Sequence, residues 1–233
     1  MLHSPRSYTH YQPNPPFKLR RPPTPPPSDP SPLHAATGAM LAGGQSRRMG
    51  QDKSRMAVDV PDLGETTVGQ IVLSSLGSVC QEVLHIGGQP LGDDLNAHHP
   101  DAFPDGGALA GVYTALHHAT HDYVFIAGCD MPFLDPHAIA AMLDLATDYD
   151  VTLPIVDGRA QTLHSVYRAS CAAAALRALE SGRRRIIAFF PDVRVRELSP
   201  SEFAAIDPTG RSTRNVNTPE EFARAAAALR SPT

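Results

Sequence analysis

The chain has 233 residues, 42% of them hydrophobic, and a formal net charge of -4, with a pI near 6.2. That length fits one compact domain with a full core, and so mild an acidity argues against coating nucleic acid or binding an anionic membrane. The three cysteines, Cys80, Cys129 and Cys171, lie far apart with no CxxC pair. They indicate neither a disulfide framework nor a structural zinc site, and a reducing cytoplasm fits best. No stretch reaches the roughly 18 consecutive apolar residues of a membrane-spanning helix, so a soluble protein is expected.

The first 34 residues carry eleven prolines, four basic residues and one acid, Asp29. Such a segment cannot offset the entropy of folding, and it reads as a disordered, partly polyproline tail, with the folded domain at 35–233. It has neither the apolar core of a signal peptide nor an amphipathic Arg/Ser helix. An upstream start is the simpler origin of the tail. Met40 cannot be the start if the first strand is needed.

Ala35 to Leu41 is a short apolar run that predicts the first strand. The loop after it, Leu41 to Lys53, reads LAGGQSRRMGQDK and concentrates Gly43, Gly44 and Gly50 with Arg47, Arg48 and Lys53. Glycines let backbone N–H groups approach phosphate oxygens, and the cations neutralise their charge. Val68, Ile71, Val72 and Leu76 then recur at helical spacing behind Thr66 and Thr67. Val83 to Ile86 predicts a second strand, ended by Gly87 and Gly88. Phe103, Pro104, Asp105 and GGALAG lead into a helix through Leu109, Val112, Tyr113 and Leu116. Tyr123 to Gly128 is apolar without alternation, as a strand covered on both faces is, and ends at Cys129, Asp130, Met131, Pro132.

Asp135 and Pro136 supply an N-cap and an N1 proline for a helix through Ile139, Met142 and Leu143. Strands at Val151 to Val156 and Ser165 to Tyr167 follow, then an alanine-rich helix from Ala169 to Ser181 closed by Gly182. Arg184 to Phe190 predicts a short helix and Val193 to Leu198 a late strand. Thr218, Pro219 and Glu221 form a capping box for the last helix. The alternation predicts an α/β fold of three layers, a mostly parallel sheet with helices on both faces.

Ligands of such sheets bind beyond the carboxyl ends of the strands. There Leu41 to Lys53, Asp105 to Gly111 and Cys129 to Pro132 would converge. Asp130 is the candidate ligand for a divalent cation. Lys53 is one of only two lysines, with Lys18 in the tail, and a compact point charge suits a phosphate. Arg47 and Arg48 sit between glycines with no helix face to decorate, which also favours phosphate contact. The loop is not a Walker A motif, since Gly50 precedes Gln51, nor a GxGxxG dinucleotide fingerprint. His117, His118 and His121 have metal-ligand spacing without an HExxH motif and read as solvated helix histidines. Arg183, Arg184 and Arg185 could begin a surface helix or hold a second anion.

LAGG, RRMG and DK together resemble the signature loop of the sugar-nucleotide type of nucleotidyltransferase. Within that superfamily the chain is most similar to the molybdenum cofactor guanylyltransferases. The likeness runs from about Thr37 to Leu229 and includes GGALAG (106–111), CDMPFL (129–134), QTLHSVYR (161–168), SGRRRIIAFF (181–190) and NVNTPEEF (215–222).

The resemblance implies a Rossmann-like nucleotidyltransferase fold and transfer of GMP from GTP, with Mg²⁺, to molybdopterin. The product would be the guanine dinucleotide cofactor, with pyrophosphate released. Leu41, Ala42, Gly43 and Gly44 would hold the nucleotide; Arg48 and Lys53 would contact phosphates. Asp105 would lie near the guanine or ribose, Gly107 and Gly111 close to the ligand, and Asp130 on Mg²⁺. Arg184 or Arg185, Asn215 and Asn217 would face the pterin. The partners implied are small molecules and, transiently, other molybdenum cofactor proteins, with no nucleic acid or membrane.

The sequence departs from the family pattern at Ile86, Gly87 and Gly88, where an asparagine usually meets the nucleotide, and in a shorter segment between Asp105 and the glycines. Both departures bear on the base. A cytidylyltransferase, a sugar-phosphate nucleotidyltransferase and a non-catalytic nucleotide-binding module stay open as alternatives.

Overall fold

The computed structural model describes residues 33–43, 53–61, 64–91, 97–103 and 105–230. Nearly all of the proline-rich tail, together with Gly44, Arg47, Arg48 and Gly50, lies outside the described residues. The first strand, β1 (His34–Leu41), begins one residue before the predicted run. It forms the centre of the sheet, with β4 (Cys80–Ile86) and β6 (Tyr123–Gly128) parallel on either side. Beyond β4 lies a short edge strand, β5 (Ala97–His99). Beyond β6 come β9 (His164–Arg168), β7 (Val151–Val156) and β10 (Val195–Leu198), with β8 (Arg159–Ala160) folded back on β7. Only β9 runs against its neighbours in the main path of the sheet, so the sheet is mostly parallel as predicted.

Each strand of the centre feeds both faces because successive side chains point to opposite sides. Ala39 and Leu41 of β1 join a core with α2 (Gly107–His118) and α4 (Ala172–Glu180), which contribute Leu109, Val112, Ala175 and Ala178. Ala36 and Met40 enter a second core with α1 (Val68–Gly77) and α3 (Pro136–Asp144), through Val72, Leu76, Ile139 and Met142. These are the two helical layers. Thr67 caps α1 in a capping box with Gln70, and Asp135 caps α3 through His137 N–H at 2.9 Å, both at predicted residues.

Other elements differ from the sequence reading. The antiparallel hairpin of β2 (Ala57–Val60) and β3 (Gly64–Thr67), strand β5, and helix α5 (Pro200–Ile206) were not expected. The sequence nonetheless marks α5, because Ser199, Pro200 and Glu202 make a capping box with proline at N1. The predicted helix at Arg184 to Phe190 is a 3₁₀ segment, Ile186–Asp192. In α6 (Pro219–Arg230), Glu221 N–H donates to Thr218 Oγ1 at 3.2 Å. The Glu221 carboxylate accepts from Asn217 N–H at 2.7 Å, one residue earlier than an ordinary box.

A third, smaller cluster joins the hairpin to α6: Val58, Val68, Ile71 and Ala226, with Phe222 and Leu229 packed against them. The segment between α5 and α6 is pinned from beneath by a buried polar network. His164 Nε2 and Ser212 Oγ share a hydrogen bond of 2.7 Å, Asp135 N–H donates to that hydroxyl at 3.0 Å, and Ser212 N–H donates to the buried Asp207 carboxylate at 2.9 Å. His164 sits between the rings of Phe125 and Phe203.

Burial, partly opposed by its own backbone and by the Asp207 charge, lowers the His164 pKa to about 4. The unfolded imidazole titrates near 6.5. Between the two values the unfolded state binds more protons, so His164 stabilises fully above about pH 6.5 and its contribution is lost as pH falls towards 4. The loss is on the order of 3 kcal/mol. Denaturant unfolding at pH 7.5, 6 and 5 should show this slope in the wild type and a flatter one in His164→Gln; equal slopes would show that another group governs it.

Candidate active site

The carboxyl ends of β1, β4 and β6 are tied together by backbone hydrogen bonds. Ala42 N–H donates to Ile86 O at 2.8 Å and Cys129 N–H to Leu41 O at 3.1 Å. Beside them opens a cavity of about 370 Å³. Leu41, Ala42 and Gly43 line one side; Asp105, Gly107 and Gly111 line another, with Ile86, Gly87 and Leu163 completing the wall. Six of the residues carried over by resemblance to the nucleotide side therefore share one cavity.

Asp101 also lines it and was missed in the sequence. Burial raises its pKa above the ordinary carboxylate value, opposed by hydrogen bonds from Phe103 N–H, at 3.1 Å, and the Thr114 hydroxyl. The available signal was an acid in the DAFPD run leading into the glycines.

At Gly87 and Gly88, where the resemblance leads one to expect an asparagine, the cavity wall is backbone. Gly87 N–H donates to His99 O at 2.8 Å, while His98 Nε2 lies 3.1 Å from Gly87 O. Gly87 has φ of +72°, and a Cβ there would stand 2.4 Å from Ala42 O. No side chain can occupy that position without moving the first loop.

A second group of residues meets at the end of β6. Lys53, in a 3₁₀ turn Lys53–Arg55, donates from Nζ to Asp130 Oδ2 at 3.0 Å and to Asn217 Oδ1 at 2.8 Å. The two charged side chains are only 18% and 17% exposed. Gly128 makes room for the carboxylate, since a Cβ there would lie 2.9 Å from Asp130 Oδ1. Val216 N–H donates to Asp130 O at 2.9 Å, which carries the strap before α6 onto the same loop.

The other basic and amide candidates are placed differently from one another. Arg184 lies beside the cavity, with Nε donating to Asp105 O at 3.1 Å and Nη1 to Leu179 O at 2.9 Å. Arg183 donates to Ser181 Oγ and Ala188 O. Both guanidinium groups therefore brace the turn between α4 and the 3₁₀ segment that follows it. Arg185 is exposed at the start of the 3₁₀ segment. Asn215 is half-buried, with a buried Oδ1 that has no hydrogen-bond partner among the described residues.

His117 and His118 are exposed, and His118 stacks on His99 with centroids 3.7 Å apart. Among the described residues no group of three or more His, Cys, Asp or Glu side chains could hold a metal. None of the described helices is long and apolar enough to cross a membrane.

A mostly parallel sheet whose first loop, carboxylate after β6 and paired lysine gather at the carboxyl ends is the arrangement of a nucleotidyltransferase. A family model described as the MobA-like NTP transferase domain matches residues 38–196. A molybdenum cofactor guanylyltransferase of Desulfosudis oleivorans is 34% identical over 85% of this chain and 98% of its own. A probable molybdenum cofactor guanylyltransferase of Pelotomaculum thermopropionicum is 34% identical over 82% of this chain and 91% of its own. In the solved structure of molybdopterin-guanine dinucleotide biosynthesis protein A from Archaeoglobus fulgidus the fold is shared with a TM-score of 0.66, at 23% identity over 82% of this chain and 97% of that one. The chain belongs to the MobA-like NTP transferase family.

The Gly87 geometry gives a direct check on the cavity. Gly87→Val should displace Ala42 and weaken binding of a fluorescent GTP analogue by roughly tenfold or more while the domain still melts cooperatively. Unchanged affinity, or no binding by the wild type, would take nucleotide binding out of this cavity.

Proposed function

We propose that the chain transfers GMP from GTP to molybdopterin, forming the guanine dinucleotide cofactor and releasing pyrophosphate. The observation that carries this reading is the pairing of Lys53 with Asp130 at the end of β6, next to a cavity walled by the first glycine loop. The names of the two relatives at 34% identity point to the same reaction.

In this reading Leu41, Ala42, Gly43, Gly44, Asp105, Gly107 and Gly111 bind the nucleotide, and Lys53 and Arg48 hold its phosphates. An oxygen of the acceptor's phosphate monoester forms a bond to the α-phosphorus as the bond to the β-phosphate bridging oxygen breaks, and the electron pair leaves on pyrophosphate. Lys53 stabilises the charge on the transferring and leaving phosphates, so positioning and electrostatics dominate the rate. Asp130 supplies a hard carboxylate oxygen at a strand end, the kind of donor that holds a divalent cation together with substrate phosphates. Mg²⁺ held by Asp130 together with substrate phosphate oxygens would neutralise negative charge there. Arg184, Arg185, Asn215 and Asn217 are the residues that the resemblance puts on the acceptor side; the reaction would take place in the cytoplasm, with GTP and molybdopterin as its small-molecule partners.

Purified protein incubated with molybdopterin, Mg²⁺ and each nucleoside triphosphate in turn should release pyrophosphate with GTP; product with CTP alone would make it a cytidylyltransferase instead. Asp130→Asn should lower kcat roughly 100-fold or more with the melting temperature little changed. Retention of most activity would take Asp130 out of the reaction.

A further inference from the structure

We infer that Asn217 is a positioning residue for Lys53, acting on the donor side of the site and not as a contact to the acceptor. The inference rests on the GMP-transfer reading for its assay and on geometry for its argument.

The lysine side chain is a flexible four-carbon stem that loses rotamer entropy when fixed. Here two acceptors fix it, Asp130 Oδ2 at 3.0 Å and Asn217 Oδ1 at 2.8 Å. An ammonium has three donors and no acceptor, so the Asn217 amide must turn its oxygen to Lys53. That leaves one lysine donor for a ligand.

The two acceptors differ in what they cost the cation. Asp130 offsets its charge, whereas a neutral amide oxygen holds it and leaves the charge intact. Once the Asp130 carboxylate is engaged by a cation, Asn217 is the partner that keeps Lys53 in place.

Asn217 is itself braced. Its N–H donates to the Glu221 carboxylate at 2.7 Å, and the preceding Val216 N–H to Asp130 O at 2.9 Å. The helix that follows packs through Ala226 and Phe222 on Val58 of the hairpin that begins just after Lys53. Lysine and asparagine, 164 residues apart in sequence, are thus mounted on one small hydrophobic cluster.

The test is a double-mutant cycle in the full chain, read both as steady-state transfer and as binding of Mg·GTP. Asn217→Ala should lower kcat roughly 10- to 100-fold, the cost of a misplaced catalytic group, with the KM for molybdopterin within about twofold of wild type. Adding Asn217→Ala to Lys53→Ala should cost nothing further. Glu221→Ala should act in the same direction with a smaller loss. Asn217→Asp, isosteric and so expected to fold, should also lower kcat without raising the KM for molybdopterin, because it neutralises the lysine. A tenfold rise in that KM with kcat preserved, or additive losses in the double variant, would overturn the inference and return Asn217 to the acceptor. If the wild type transfers no nucleotide, the functional reading falls, and the cycle on Mg·GTP binding still decides whether Asn217 acts through Lys53.

Discussion

The ammonium of Lys53 lies between a carboxylate from the centre of the sheet and an amide oxygen from the C-terminal strap. At 3.0 Å and an effective dielectric of 20, the attraction between Lys53 and Asp130 is about 5 kcal/mol. Desolvating two ions that are each more than four-fifths covered costs several kcal/mol per ion. Summed over both ions, that cost matches or exceeds the attraction, so the pair adds little or nothing to folding stability. Its consequence is preorganisation: a cation suited to phosphate and an anion suited to a divalent ion are held within one hydrogen bond of each other. In the proposed transfer reaction a metal nucleotide would satisfy both at once.

The scaffold delivers this pair by three routes that meet at one end of the sheet. The β6 strand is buried from Val124 to Gly128 and ends beside Asp130, which fixes that carboxylate to the core. Lys53 follows the first loop and begins the hairpin stretch. The strap carrying Asn217 is held below by Ser212 and Asp207 and above by Glu221. The hairpin and α6 share a cluster separate from both main cores, so the position of Lys53 depends on packing that the α/β framework itself does not require.

That separation explains what could be read from the sequence and what could not. The apolar runs of β1, β6 and β7, the caps at Thr67 and Asp135 and the carboxylate after β6 are local signals, each with a mechanism within a few residues. The reversal of β9 left no trace, because a strand covered on both faces has the same composition in either direction. The hairpin was invisible for another reason: Val58 alone of its first strand is buried, so no alternation stands out. The link from Lys53 to Asn217 is a contact between two loops and has no periodicity at all. Asp101 could have been noticed as an acid near the glycines, but its burial and the Thr114 hydroxyl beside it are tertiary facts.

The residues assigned by resemblance to the acceptor do not behave as a single group. Arg184 places its donors on the carbonyls of Asp105 and Leu179, which braces the wall of the cavity, and Asn217 turns its oxygen to Lys53. A run of three arginines reads as free charge in a sequence, yet a guanidinium carries five donors and readily satisfies the carbonyls at the end of a helix. Asn215 is the contrasting case, since its buried Oδ1 has no partner among the described residues. Its position is fixed by Val216, next in the chain, which is buried and whose N–H donates to Asp130 O.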